Sequence, residues 1–123
     1  MKNLLLVFIG GGLGSTLRYI ISKHLSSTAS GIPWGTFTVN ILGSFIIGLI
    51  LGLAAKNSTF SHSQTLILAT GFCGGFTTFS TFAYENHMFL KSGDFFSFTL
   101  YTLMSFVTGF IMVFLAMYLI KQF

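Results

Sequence analysis

Long apolar runs alternate with short polar connectors along this chain. A hydrocarbon core needs about 20 residues of helix. Stretches of that order lie at residues 4–21, 33–55, 64–89 and 95–120. Polar connectors separate them, from Lys23 to Ser30, Lys56 to Ser63 and Lys91 to Asp94. Pro33, the only proline, stands where the second helix begins, a position that does not need its missing N–H. Trp34 beside it suits an interfacial aromatic belt. The first apolar run continues to Ile21 through small residues, with no small-x-small cleavage pattern, so it reads as a retained helix rather than a signal peptide. The pattern predicts an all-α integral membrane protein: four transmembrane helices in one domain, residues 1–123, multi-pass in the inner (plasma) membrane.

Composition strengthens this reading. Hydrophobic residues make up 53% of the chain and charged residues only 7%, where a soluble domain carries about a quarter. The net charge of +4 is spread thinly. No basic cluster could track a phosphate backbone, which excludes a nucleic-acid partner. Neither a nucleophile–base pair nor paired carboxylates occur, so an enzyme is not expected. A single cysteine, Cys73, excludes an internal disulfide. His24, His62 and His87 fall singly near span ends, without metal-ligand spacing.

Cytoplasmic connectors normally carry excess Lys and Arg. Here Lys2, Lys56 and Lys121 lie on one side, against Arg18, Lys23 and Lys91 on the other. The balance permits insertion both ways up, and with it pairing as an antiparallel dimer. Charge alone leaves open whether a weaker determinant sets orientation instead. A lone unit of four helices has little interior, so inward polar atoms call for a partner, and a dimer is the simplest.

The third span is unusual. Residues 70–81 read TGFCGGFTTFST, with adjacent glycines and then adjacent β-branched threonines. Each glycine costs about 1 kcal/mol relative to Ala in a helix interior. The pattern predicts a helix broken mid-membrane, where freed backbone groups create ion sites. Gly10-x-x-x-Gly14 and Gly48-x-x-x-Gly52 read instead as small-residue packing.

Polar residues mark particular faces of the other spans. Thr36, Asn40 and Ser44 share a face of the second helix. Asn40 is the costly one, because lipid satisfies neither its donors nor its acceptor. Tyr101, Ser105 and Gly109 form a similar row on the fourth helix, with Thr102 and Thr108 nearby. These rows offer hydrogen-bond donors and no carboxylate, which suits a permeant anion. Phe79 and Phe82 share a face, and ring edges can also meet an anion. The pattern leaves open whether those rings face the path or the lipid. Arg18 lies near a span end, where snorkelling or a structural bond at a vestibule is expected. Glu85 is expected to pair with Arg18 or a lysine, or to balance charge in a vestibule, the structural role being favoured.

Three motifs resemble the signatures of the Fluc/CrcB fluoride channel family. They are GGLGSTLRY at Gly11 to Tyr19, PWGTFTVNILGSF at Pro33 to Phe45, and GFCGGFTTFSTF at Gly71 to Phe82. The match runs the length of the chain in register. The resemblance implies an antiparallel, dual-topology homodimer that conducts fluoride passively and electrogenically down its gradient and gives fluoride resistance. It implies that Asn40, Phe79 and Phe82 line the fluoride path. Ser80 and Thr81 would be polar neighbours, and Thr36, Tyr101 and Ser105 would extend the polar track. It also implies a structural sodium ion (Na+) on the dimer axis, held by backbone carbonyls of Gly74 and Thr77. Gly109 stands where some relatives carry serine.

Two competing functions share the architecture. A small proton-coupled multidrug exporter or fluoride exporter needs a carboxylate in mid-span. The first helix has no Asp or Glu, and Glu85 sits toward a span end, which disfavours both. A non-transporting scaffold would not require Asn40 on an apolar face.

Overall fold

The computed structural model describes residues 1–25, 31–57 and 60–123. Every regular element among them is helical. Helix α1 covers Lys2–Leu25 and α2 covers Trp34–Asn57. The third span starts with α3, His62–Thr65, passes through a π-helical stretch, Leu66–Cys73, and ends its first half with α4, Gly74–Phe76. Its second half is α5, Phe79–Ser92, and α6 covers Phe95–Gln122. Among the described residues four segments are long and apolar enough to cross a membrane: Lys2–Leu25, Trp34–Lys56, His62–Ser92 and Phe95–Gln122. Helices run a few residues past the apolar cores because polar residues at span ends still continue the backbone ladder.

Side chains cap the helix ends. Ser61 and Gln64 form a reciprocal capping box at α3. Pro33 lies just before α2 and its carbonyl accepts from the Phe37 N–H at 3.1 Å. Asp94 caps α6 by accepting from the Ser97 N–H at 3.0 Å. Between α5 and α6 the chain turns at Gly93, whose φ of 77° suits a residue without Cβ.

Gly74 and Gly75 are helical, and the residues that leave the helix are Thr77 (φ −86°, ψ 159°) and Thr78 (φ −150°, ψ 118°). β-Branched residues favour this extended backbone. The glycines do something else, which is to let backbones touch. A Cβ on Gly14 would lie 2.1 Å from the Phe72 carbonyl oxygen, and one on Gly75 would lie 2.3 Å from the Gly11 carbonyl oxygen. Helix α1 therefore packs against residues 66–76 backbone to backbone. Helix α2 packs mainly along α6, with Gly48 facing Ala116 and Val113, and Gly52 facing Ile120.

The small core joins α2 to the π-helical stretch through Ile50, Ala69 and Cys73. Tyr101, Phe76 and Val39 are fully buried. By contrast, α1 exposes Leu4, Phe8, Leu13 and Leu17, and α6 exposes Phe96, Leu103, Phe110 and Phe114. In water such faces would be a liability, but lipid or another apolar surface solvates them. The protein is a multi-pass membrane protein.

Candidate functional site

Extended residues inside an otherwise helical span release backbone groups that must find partners. Asn40 supplies them. Its Nδ2 donates to the Thr78 carbonyl at 3.1 Å, and its Oδ1 accepts from the Thr78 N–H at 2.8 Å. One Nδ2 hydrogen remains, and Asn40 lines a cavity of about 470 Å³. Phe79, Phe82, Ser105, Gly74 and Thr77 line the same cavity. Ser44 borders it too, while its hydroxyl donates back to the Asn40 carbonyl at 2.8 Å.

The two phenylalanines differ in setting. Phe82 is buried against Tyr101 and Phe106, with ring centroids 5.2 and 5.9 Å away. Phe79 is 73% exposed and reaches Phe82 at 5.9 Å. Ser105 Oγ is buried without a hydrogen-bond partner among the described residues. An orphaned hydroxyl on a cavity wall is costly unless something in the cavity meets it.

A second cavity, of about 320 Å³, is lined by Ser15, Arg18, Thr36, Thr78, Thr81 and Glu85. Thr78 borders both cavities. Glu85 accepts from the Thr36 hydroxyl at 2.6 Å through Oε1 and from the Tyr101 hydroxyl at 2.8 Å through Oε2. Tyr101 stands fully buried behind the carboxylate. Arg18 donates through Nη1 to the Thr77 carbonyl at 3.3 Å. Arg18 and Glu85 thus share a cavity, yet the hydrogen bonds of each go elsewhere, to a backbone carbonyl and to neutral hydroxyls. The sequence expected Glu85 to pair with Arg18 or a lysine, or to balance charge in a vestibule; in the structure its hydrogen bonds come from the neutral hydroxyls of Thr36 and Tyr101.

Ser80 and Thr81 are exposed at the start of α5. Thr78 Oγ1 donates to Thr81 Oγ1 at 3.1 Å, lies 3.3 Å from Ser80 Oγ, and accepts from the Thr81 N–H at 3.2 Å, capping α5. The structure therefore gathers Asn40, Phe79, Phe82, Ser105, Gly74 and Thr77 around one cavity and Thr36, Thr81, Glu85 and Arg18 around the other. Two residues that the sequence did not single out stand out here. Thr78 joins the cavities. Asn86 is buried, donates to the Phe82 carbonyl at 3.1 Å and accepts from the Thr102 hydroxyl at 3.0 Å. A carboxamide in an apolar span was the available signal for Asn86, the same one that marked Asn40. Among the described residues no group of His, Cys, Asp and Glu side chains could hold a metal ion.

Comparison with known proteins places this arrangement. A protein from Gloeothece citriformis named fluoride-specific ion channel FluC is 51% identical over 123 residues, covering 99% of each chain. Proteins of the same name from Prosthecochloris aestuarii and Leptospira interrogans are similar at 46% and 42% identity. They cover 95% and 99% of this chain, and 91% and 97% of their own. The family described as CrcB-like protein, Camphor Resistance (CrcB), matches residues 5–117, and the chain belongs to that family.

Proposed function

We propose that this protein is a fluoride-selective channel of the plasma membrane, giving passive electrogenic fluoride export and fluoride resistance. The observation that carries this reading is the first cavity. It combines a free amide hydrogen of Asn40, the orphaned Ser105 hydroxyl and the rings of Phe79 and Phe82, with no carboxylate on its wall. Fluoride is small and strongly hydrated, so shedding water is the main barrier to its passage. Hydroxyl and amide donors with ring edges replace that water in an otherwise apolar wall. Relatives at up to 51% identity carry the name fluoride-specific ion channel.

The channel is an antiparallel, dual-topology homodimer, and the extended pair Thr77–Thr78 breaks the third helix at mid-membrane. The exposed faces of α1 and α6 and the balanced lysine and arginine charges support this assembly. Asn40, Phe79, Phe82 and Ser105 line the fluoride path, with Ser80, Thr81, Thr36 and Tyr101 continuing its polar side. Arg18 and Glu85 form the polar vestibule.

A structural sodium ion fits the chemistry at Gly74 and Thr77. Both offer backbone oxygens, the donors a hard cation takes. Gly74 is exposed, with open space where a Cβ would be. Thr77 shares its carbonyl with Arg18 through a long bond, leaving a second lone pair. Two carbonyls are a partial coordination shell, to which a second copy would add its own two. Bound there, the ion would contribute positive charge that neutralises the carbonyls and ties the two copies together.

Anion efflux from reconstituted liposomes tests the reading. Fast fluoride release that depends on valinomycin, with little chloride release, is expected. Fluoride release that ignores valinomycin would indicate proton-coupled or neutral exchange. No release from a folded protein would overturn the fluoride reading.

A further inference from the structure

Two hydrogen bonds tie α5 to α6 side by side. Tyr101 donates to Glu85, and the next residue on α6, Thr102, donates to the next residue on α5, Asn86. The first pair sets a carboxylate on the wall of the second cavity. The second pair lines neither cavity. Asn86 is nonetheless only 6% exposed, and its amide spends Nδ2 on the Phe82 carbonyl of its own helix. Its Oδ1 is thereby fixed toward Thr102.

A buried carboxamide and a half-buried hydroxyl in an apolar span are not needed for packing, because an aliphatic pair of similar volume would pack as well without requiring a partner. What a directional pair supplies is register, as polar residues do in helix pairs generally. Sliding α6 along α5 would break the Thr102–Asn86 bond and carry Tyr101 off the carboxylate with it. Thr36, on α2, would then be left to hold Glu85 alone.

We infer that Asn86 and Thr102 form a positioning pair, which locks α5 against α6 so that the Tyr101 hydroxyl meets Glu85 at the second cavity. Its importance for fluoride passage rests on the function proposed above, while its effect on the carboxylate does not. The two are separable, because Glu85 is the chain's only glutamate, Asp94 being the other acidic residue. Glutamate labelled with ¹³C at the side-chain carboxyl therefore reports on Glu85 alone by isotope-edited infrared spectroscopy.

The experiment compares wild type, Thr102→Val, Thr102→Ser, Tyr101→Phe and the double variant Thr102→Val/Tyr101→Phe. The Glu85 carboxyl band and fluoride efflux from liposomes are both read. Thr102→Val is expected to displace the band as Tyr101→Phe does and to slow efflux by at least about threefold, the scale of coupling between contacting residues. Thr102→Ser restores both, and the double variant is no slower than Tyr101→Phe. A band unmoved by Thr102→Val, or losses that multiply in the double variant, would overturn the inference, since simple helix glue would act without Tyr101. Should wild type carry no fluoride, the channel reading falls and the band alone decides. If Thr102→Val does not fold, Thr102→Ala replaces it in the same comparison.

Discussion

Asn40 and Thr78 pair through both ends of one amide, Oδ1 accepting at 2.8 Å and Nδ2 donating at 3.1 Å, so a side chain of α2 stands in for the missing backbone ladder of the third span. Asn40 is thus a structural residue as well as the path residue proposed above. Asn40→Ala leaves a buried N–H and a buried carbonyl unpaired, at about 1–3 kcal/mol for each group left without a partner. We expect Asn40→Ala to lower the midpoint of denaturation in detergent as well as fluoride flux. Asn40→Asp keeps the acceptor for the Thr78 N–H but sets a carboxylate against the Thr78 carbonyl, and should do no better. Wild-type stability in both variants would show that the pairing contributes nothing.

Phe79 and Phe82 should respond differently to truncation. Phe79 is 73% exposed and Phe82 is 8% exposed, wedged between α5 and α6. Lipid is as apolar as the core, so Phe82→Ala loses packing rather than a transfer term, and about 2 kcal/mol of stability is expected. Phe79→Ala should leave stability within about 0.5 kcal/mol while reducing fluoride efflux. A Phe79→Ala protein that denatures as early as Phe82→Ala would mean that another surface covers Phe79.

The spans were legible because an apolar run of helix length is the strongest signal a membrane sequence gives. Asn40 stood out for a related reason, as an amide that lipid cannot satisfy. Its partner did not, because a bond to the Thr78 backbone, 38 residues away, leaves no trace in side-chain pattern. The π-helical stretch Leu66–Cys73 was equally hidden. Its last four residues, TGFC, open the stretch that the sequence marked as poor helix, but nothing in LILATGFC specifies the widened helix that lies against Gly10 and Gly14. For Glu85 the sequence offered pairing with Arg18 or a lysine, or charge balance in a vestibule, but not the neutral hydroxyls of Thr36 and Tyr101 that reach it, because those are distant along the chain.

That close approach can be tested glycine by glycine. On Gly14 a methyl group would lie 2.1 Å from the Phe72 carbonyl oxygen and 2.8 Å from the Phe76 nitrogen, whereas on Gly12 it would meet nothing within 4 Å. Both neighbours of Gly14 are backbone and cannot swing aside. Gly14→Ala should cost about 1–3 kcal/mol through overpacking, and Gly12→Ala should be neutral or gain up to about 1 kcal/mol in helix propensity. Thermal denaturation of the purified variants checks both. A loss at Gly12 as large as that at Gly14 would place an unseen surface against that face of α1.

Asp94 gives the turn between α5 and α6 a dependence on pH. The Ser97 backbone N–H, and then its hydroxyl, hold the carboxyl below the usual carboxylate range. A carboxyl lowered on folding stabilises the native state above its unfolded pKa of about 3.9, and loses that contribution as pH falls through the lower folded value. The melting temperature of wild type should therefore exceed that of Asp94→Ala near neutral pH, and the gap should close in strong acid. A gap that stays constant with pH would show that the cap does not depend on ionisation.

Lysine balance should decide which way up the chain inserts. Lys2, Lys56 and Lys121 lie at one set of helix ends, and Arg18, Lys23 and Lys91 lie at or near the other. On the first side Lys56 is already engaged, its Nζ donating to the Ile120 carbonyl at 3.0 Å and complementing the C-terminal end of α6. Changing Lys23 and Lys91 to glutamine leaves Arg18 alone on its side, without disturbing that contact. Under the positive-inside rule, the end bearing Lys2, Lys56 and Lys121 should then become cytoplasmic in most copies. Reporters fused to the C-terminus should move from two comparable populations to one. Because an antiparallel pair needs both orientations, fluoride efflux from cells should fall with the minority population and recover when an oppositely biased copy is supplied. Reporters that stay evenly divided would show that charge does not set the orientation of this chain.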